Sequence, residues 1–124
     1  MNIFLWIIAS LLALLFLATG IMKLAQPKEK LAAAGQGWVE DFPETAIKAI
    51  GTAEILGALG LVLPALLNIV PILVPTAATG LFLLMIGAAI THGRRKEIPN
   101  IVANVVLGLL AVTIAITRFG TYNF

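Results

Sequence analysis

The segment from Ala49 to Ile90 reads AIGTAEILGALGLVLPALLNIVPILVPTAATGLFLLMIGAAI, and Glu54 is its only charged side chain. One membrane-crossing helix needs about 20 mostly apolar residues, so this run is long enough for two. Pro64, Asn68 and Pro71 mark a turn between them. A carboxylate in hydrocarbon is costly and requires a partner, a proton or a water-filled cavity. Glu54 is therefore the first candidate functional residue.

The flanking sequence repeats the pattern. No charge precedes Lys23, and none lies between Ile98 and Thr117. The 124 residues are 60% hydrophobic and 11% charged, with a mean hydropathy of +1.06. Soluble domains carry about 25% charged residues, and a chain this short cannot bury so much apolar surface in a water-facing globule. The expected fold is all-α: one domain, residues 1–124, forming a compact bundle of four transmembrane helices. They run about 3–24, 44–63, 72–91 and 99–118, with Pro75 in the first turn of the third, where a missing N–H is tolerated. The first run has no basic leader and no small-residue cleavage site before Lys23, so it is expected to remain as a span.

Four spans bring both termini and the Pro64–Pro71 turn to one side. The other side holds Lys23, Lys28, Lys30, Lys48, Arg94, Arg95 and Lys96, against Arg118 alone on the terminal side. By the positive-inside bias, loops 26–43 and 92–98 are cytoplasmic and both termini lie outside, at the periplasmic face of an inner membrane. Trp6, Phe119, Tyr122 and Phe124 then gather at the outer interface, and Trp38 and Phe42 near the inner one. The net charge of +2 gives no footing for a nucleic-acid partner.

Within the first polar loop, Lys28–Ala34 can form a short helix, broken by Gly35 and Gly37. Trp38, Val39 and Phe42 can then lie on the membrane surface while Glu40, Asp41 and Glu44 face water. A surface connector is the preferred reading, and a substrate lid the sharper alternative. Glu44 and Lys48, four apart on a helix, are expected to pair.

Small residues Gly51, Gly57 and Ala58 accompany Glu54 on the second helix and turn it inward. Asn100, Asn104 and Gly108 form an inward stripe on the fourth. Thr19, Gly20 and Lys23 close the first span, and Thr91 and His92 close the third. All four helices thus place polar groups in the cytoplasmic half. Ser10, Thr76, Thr79, Thr113 and Thr117, in the outer half, are expected to bond back to helix carbonyls. The candidate pocket comprises Glu54, Lys23, His92, Asn104, Asn100 and Thr19; Gly20, Gly51, Gly57 and Gly108 are helix-packing positions. Each polar residue has a plain alternative: an ion pair for Glu54 and Lys23, a snorkelling stem for Lys23, an interhelical bond for Asn104, an interfacial site for His92. With one histidine and no cysteine, no haem or metal centre is expected. No phosphate loop or hydrolase motif is present.

The motifs Thr19-Gly20-Ile21-Met22-Lys23-Leu24, Gly35-Gln36-Gly37-Trp38-Val39-Glu40-Asp41-Phe42, Gly51-Thr52-Ala53-Glu54-Ile55-Leu56-Gly57 and Gly87-Ala88-Ala89-Ile90-Thr91-His92 follow one another along the chain. With the four-span layout, they resemble the DoxX-like family of small bacterial membrane proteins. Gly20, Lys23, Glu54, Gly57 and His92 are the motif positions that carry over. The resemblance implies kinship with subunits of thiosulfate:quinone oxidoreductase and with proteins linked to membrane-associated oxidoreductase complexes or to oxidative stress. The absence of cysteine argues against thiol–disulfide exchange here. The expectation is an accessory protein, not an enzyme on its own, binding a quinone or lipid for a membrane oxidoreductase partner. Glu54 would carry a proton or hold the ligand, with Lys23 as its counter-charge. Homo-oligomerisation, an assembly role for another membrane protein and a small transporter or proton pathway are the alternatives.

Overall fold

The computed structural model describes residues 2–120. Tyr122 and Phe124, expected at the outer interface, lie outside that range. Helix α1 spans Asn2–Ala25 and α2 Lys28–Ala33; a 3₁₀ turn covers Gly37–Asp41; then α3 spans Glu44–Leu66, α4 Leu73–Arg94 and α5 Ile98–Phe119. Helices α1, α3, α4 and α5 are each long and apolar enough to cross a bilayer. The chain is an all-helical, multi-pass membrane protein.

Proline positions explain most boundaries. Pro27 and Pro43, both in extended conformation, immediately precede α2 and α3, and Pro99 sits in the first turn of α5. Pro75 falls in the first turn of α4, where its missing N–H has no intrahelical partner to lose. Pro64 departs from expectation: α3 runs through it to Leu66. A proline there removes one hydrogen bond close to the end of the helix, and its carbonyl still accepts from Ile69 N–H at 2.9 Å. The stop comes instead at Asn68, whose φ of 54° is the left-handed conformation that ends helices and that asparagine tolerates.

Buried side chains recur every three to four residues on each span. The stripes are Leu5, Ile8, Leu12, Phe16, Gly20 and Lys23 on α1, and Ile47, Gly51, Glu54, Ala58 and Leu61 on α3. They continue along nearly the full length of both helices. On α4 the stripe ends at Met85, and on α5 it begins only at Gly108. The main core therefore sits in the half of the bundle near the termini. In the polar-loop half, α4 and α5 stand away from α1 and α3. Large exposed apolar side chains such as Leu11, Leu56, Leu83, Val102 and Ile116 face outward, as lipid contact requires.

The α1–α3 contact is close because glycines meet. A Cβ on Gly20 would stand 2.7 Å from the Gly51 carbonyl oxygen, and one on Gly51 would stand 2.9 Å from the Gly20 oxygen. Between α3 and α4, a Cβ on Gly57 would reach 2.6 Å from Leu81, and one on Gly60 2.7 Å from the Ala77 Cβ. Gly108 is less crowded, with the Met85 Cβ at 3.4 Å. At the far end the ring closes by a 2.6 Å bond from the buried Arg118 guanidinium to Asn2 Oδ1.

Candidate functional site

The space left where α4 and α5 part from α1 and α3 is a cavity of about 540 Å³. Thr19, Lys23, Glu54, His92 and Asn104 line it, together with Leu15, Phe16, Ile50, Leu83, Leu84 and Leu107. Five of the six residues read from the sequence as a pocket thus share one chamber. The sixth, Asn100, does not: it is exposed at the rim and lines a smaller recess of about 290 Å³. Asn100 lies in the first turn of α5, ahead of the buried stripe that begins at Gly108. Gln36, Trp38, His92 and Asn104 border both spaces, so the recess adjoins the polar end of the chamber. Leu15 and Leu83 line the cavity yet remain 41% and 60% exposed, so its apolar flank is open.

The charges inside are matched to one another. Lys23 Nζ lies 2.8 Å from Glu54 Oε1, with both side chains buried. Thr19 Oγ1 donates to the other carboxylate oxygen, Oε2, at 2.5 Å. The i, i+4 spacing of Thr19 and Lys23 places both donors on the α1 face that meets Glu54 across the Gly20–Gly51 contact. The Lys23 ammonium also stands 5.6 Å from the centre of the Trp38 ring, within cation–π range. His92 Nδ1 is 2.8 Å from Glu97 Oε1 and 3.4 Å from Asn100 Nδ2. Asn104 Nδ2 is buried and has no hydrogen-bond partner. Thr91 lines the cavity but directs its hydroxyl to the Gly87 carbonyl at 3.0 Å.

Two expectations about the polar side are corrected. Lys48 does not pair with Glu44. Its ammonium instead donates to the carbonyls of Lys23, Leu24 and Gln26 at 2.8–3.0 Å. Those carbonyls lie at or just beyond the C-terminus of α1, where a cation satisfies orphan acceptors and the helix dipole together. The first loop is also more than a surface connector. Val39 is fully buried against Leu31 and Ile47, while Trp38 and Phe42 line the chamber. Trp38 packs edge-on to Phe42 at 5.7 Å and to His92 at 6.5 Å, and its indole N–H donates to Gln36 Oε1 at 3.0 Å. Asp41 Oδ2 accepts from Arg95 Nη1 at 3.1 Å, tying the loop to the α4–α5 turn. The Asp41 hydrogen bond, aided by the charges of Asp41, Glu97 and Glu40, raises the Arg95 pKa above its ordinary value against partial desolvation. That guanidinium stays charged at every accessible pH.

Trp38, Phe42 and Gln36, which the sequence offered only as interfacial or motif positions, line the chamber, and Glu97, which it did not single out, is the partner of His92. Elsewhere the hydroxyls of Thr76, Thr79, Thr113 and Thr117 return to carbonyls four residues back, at 2.6–2.9 Å.

Among known proteins, a family model described as the DoxX-like family matches residues 7–114. No curated protein and no solved structure matches the chain.

Proposed function

This chain belongs to the DoxX-like family, and we propose on that premise that its chamber takes up a quinone- or lipid-like amphipath as an accessory subunit of a membrane oxidoreductase system. The observation that carries the reading is the graded lining of one cavity. Lys23, Glu54, Thr19, His92 and Asn104 gather at the polar-loop end, and leucines form the open flank. A volume of about 540 Å³ lies within the range of small-molecule pockets, about 300–1,000 Å³. Apolar walls hold a tail, and a few fixed polar groups orient a head. In this reading Glu54 and Lys23 hold the head group or pass it a proton, Asn104 donates a hydrogen bond, and the electrons come from the partner. The charge bias supports a topology with the polar loops in the cytoplasm and the termini on the outer side of an inner membrane. The neighbour this function requires is the oxidoreductase.

The test has two parts. Protein released from native membranes should carry a quinone- or lipid-sized mass in native mass spectrometry. Cells with Glu54→Gln, at matched protein abundance, should lose quinone-dependent respiration or oxidant tolerance. An empty chamber together with a variant indistinguishable from wild type would reject the reading.

A further inference from the structure

We infer that the chamber selects an uncharged head group bearing a hydrogen-bond acceptor, a carbonyl oxygen above all, and rejects anionic and cationic amphipaths. The inference rests on the reading of the chamber as an amphipath site and narrows its ligand. Its ground is the state of the polar groups before any ligand arrives. The Lys23 ammonium already has the Glu54 carboxylate at 2.8 Å. The second carboxylate oxygen is occupied by the Thr19 hydroxyl at 2.5 Å. His92 faces the Glu97 carboxylate at 2.8 Å, so its charge, when present, is matched as well. No charge lining the chamber is left for a ligand to neutralise.

A charged head entering this space would give up its hydration and find no free counter-ion, a cost of several kcal/mol in low dielectric. Displacing Glu54 from Lys23 to make room would leave the carboxylate in the same position. The unmet need is a different one. The Asn104 Nδ2 group is buried without a partner, and it stands where the chamber and the smaller recess meet. A buried amide N–H without a partner is satisfied by an acceptor oxygen, at no charge cost. Neutral acceptor heads occur on quinones and on acylglycerols, and the chemistry read by Asn104 is common to both.

The experiment compares one alkyl tail carrying three heads, a methyl ester, a sulfonate and a trimethylammonium. Binding to the full chain in lipid nanodiscs is read from Trp38 emission in a Trp6→Phe background. The ester should bind, and the two ions should bind at least about tenfold more weakly, given the desolvation cost. Asn104→Ala removes no existing hydrogen bond, so it should fold and weaken the ester about fivefold. Glu54→Gln leaves Lys23 without its counter-charge and should gain sulfonate binding. Competition by a short-tailed benzoquinone or by a monoacylglycerol then assigns the source of the neutral head, and either fits the inference. If the sulfonate or the ammonium binds wild-type protein as tightly as the ester, or if Asn104→Ala leaves the ester unchanged, the selectivity is wrong while the chamber reading stands. If no head binds, both fall together.

Discussion

A buried ion pair contributes little net stability while intact, yet losing one member is expensive. The surviving charge keeps its desolvation penalty and loses its compensation, typically about 3–5 kcal/mol. Lys23 and Glu54 are 7% and 4% exposed, deep enough for that argument to apply. Lys23→Met alone should therefore cost about 3 kcal/mol, and the double variant Lys23→Met/Glu54→Leu distinctly less. Denaturant unfolding in detergent micelles measures both; equal losses would show that the charges do not compensate each other. The same physics made this pair legible in the sequence, since a lone carboxylate in an apolar run demands a partner and the helix ends supply few. Lys48 was not legible in that way. Spacing offered it Glu44 four residues away, but three carbonyls at the end of another helix outcompeted one solvated carboxylate.

At the scale of elements, the glycines divide into those that set a helix contact and those that only border open space. A Cβ on Gly20 would collide with the Gly51 carbonyl and with Ile55 Cγ1, each at 2.7 Å. Backbone cannot rotate away, so Gly20→Ala should force α1 from α3 at a cost of about 1–3 kcal/mol. It should also lengthen the Lys23–Glu54 bond. Gly87→Ala meets nothing within 4 Å and gains helix propensity, so it should be neutral or stabilising by up to about 1 kcal/mol. Thermal unfolding of the two variants side by side checks the contrast; a tolerated Gly20→Ala would mean that the helices slide freely. Four spans were readable because lipid demands one property along each helix. The exposure of Asn100 was not, since the Asn100, Asn104, Gly108 spacing alone does not say where along α5 the buried stripe begins. The fold of the first loop was hidden for a related reason. It is tied to the α4–α5 turn by Asp41 and Arg95, separated by 54 residues, and no local period records such a tie.

For the molecule as a whole, the distribution of cations makes a topological prediction that the absence of cysteine makes easy to check. Single-cysteine variants at Lys30 and Asn68 should label from opposite faces of the membrane in intact cells: Asn68→Cys with an impermeant maleimide, Lys30→Cys only after permeabilisation. The reverse pattern would invert the placement of the polar loops. The bond between Arg118 and Asn2 has a consequence for biogenesis. Its partners lie 116 residues apart, so the contact is impossible until almost the whole described chain has been synthesised. Helices α1, α3 and α4 must wait in the bilayer as an open arc, with the Glu54 side of the future chamber unscreened by α5. A ribosome stalled within α5 would hold the protein at that stage. The insertion machinery, not the finished bundle, would then shield a membrane-embedded ion pair from lipid.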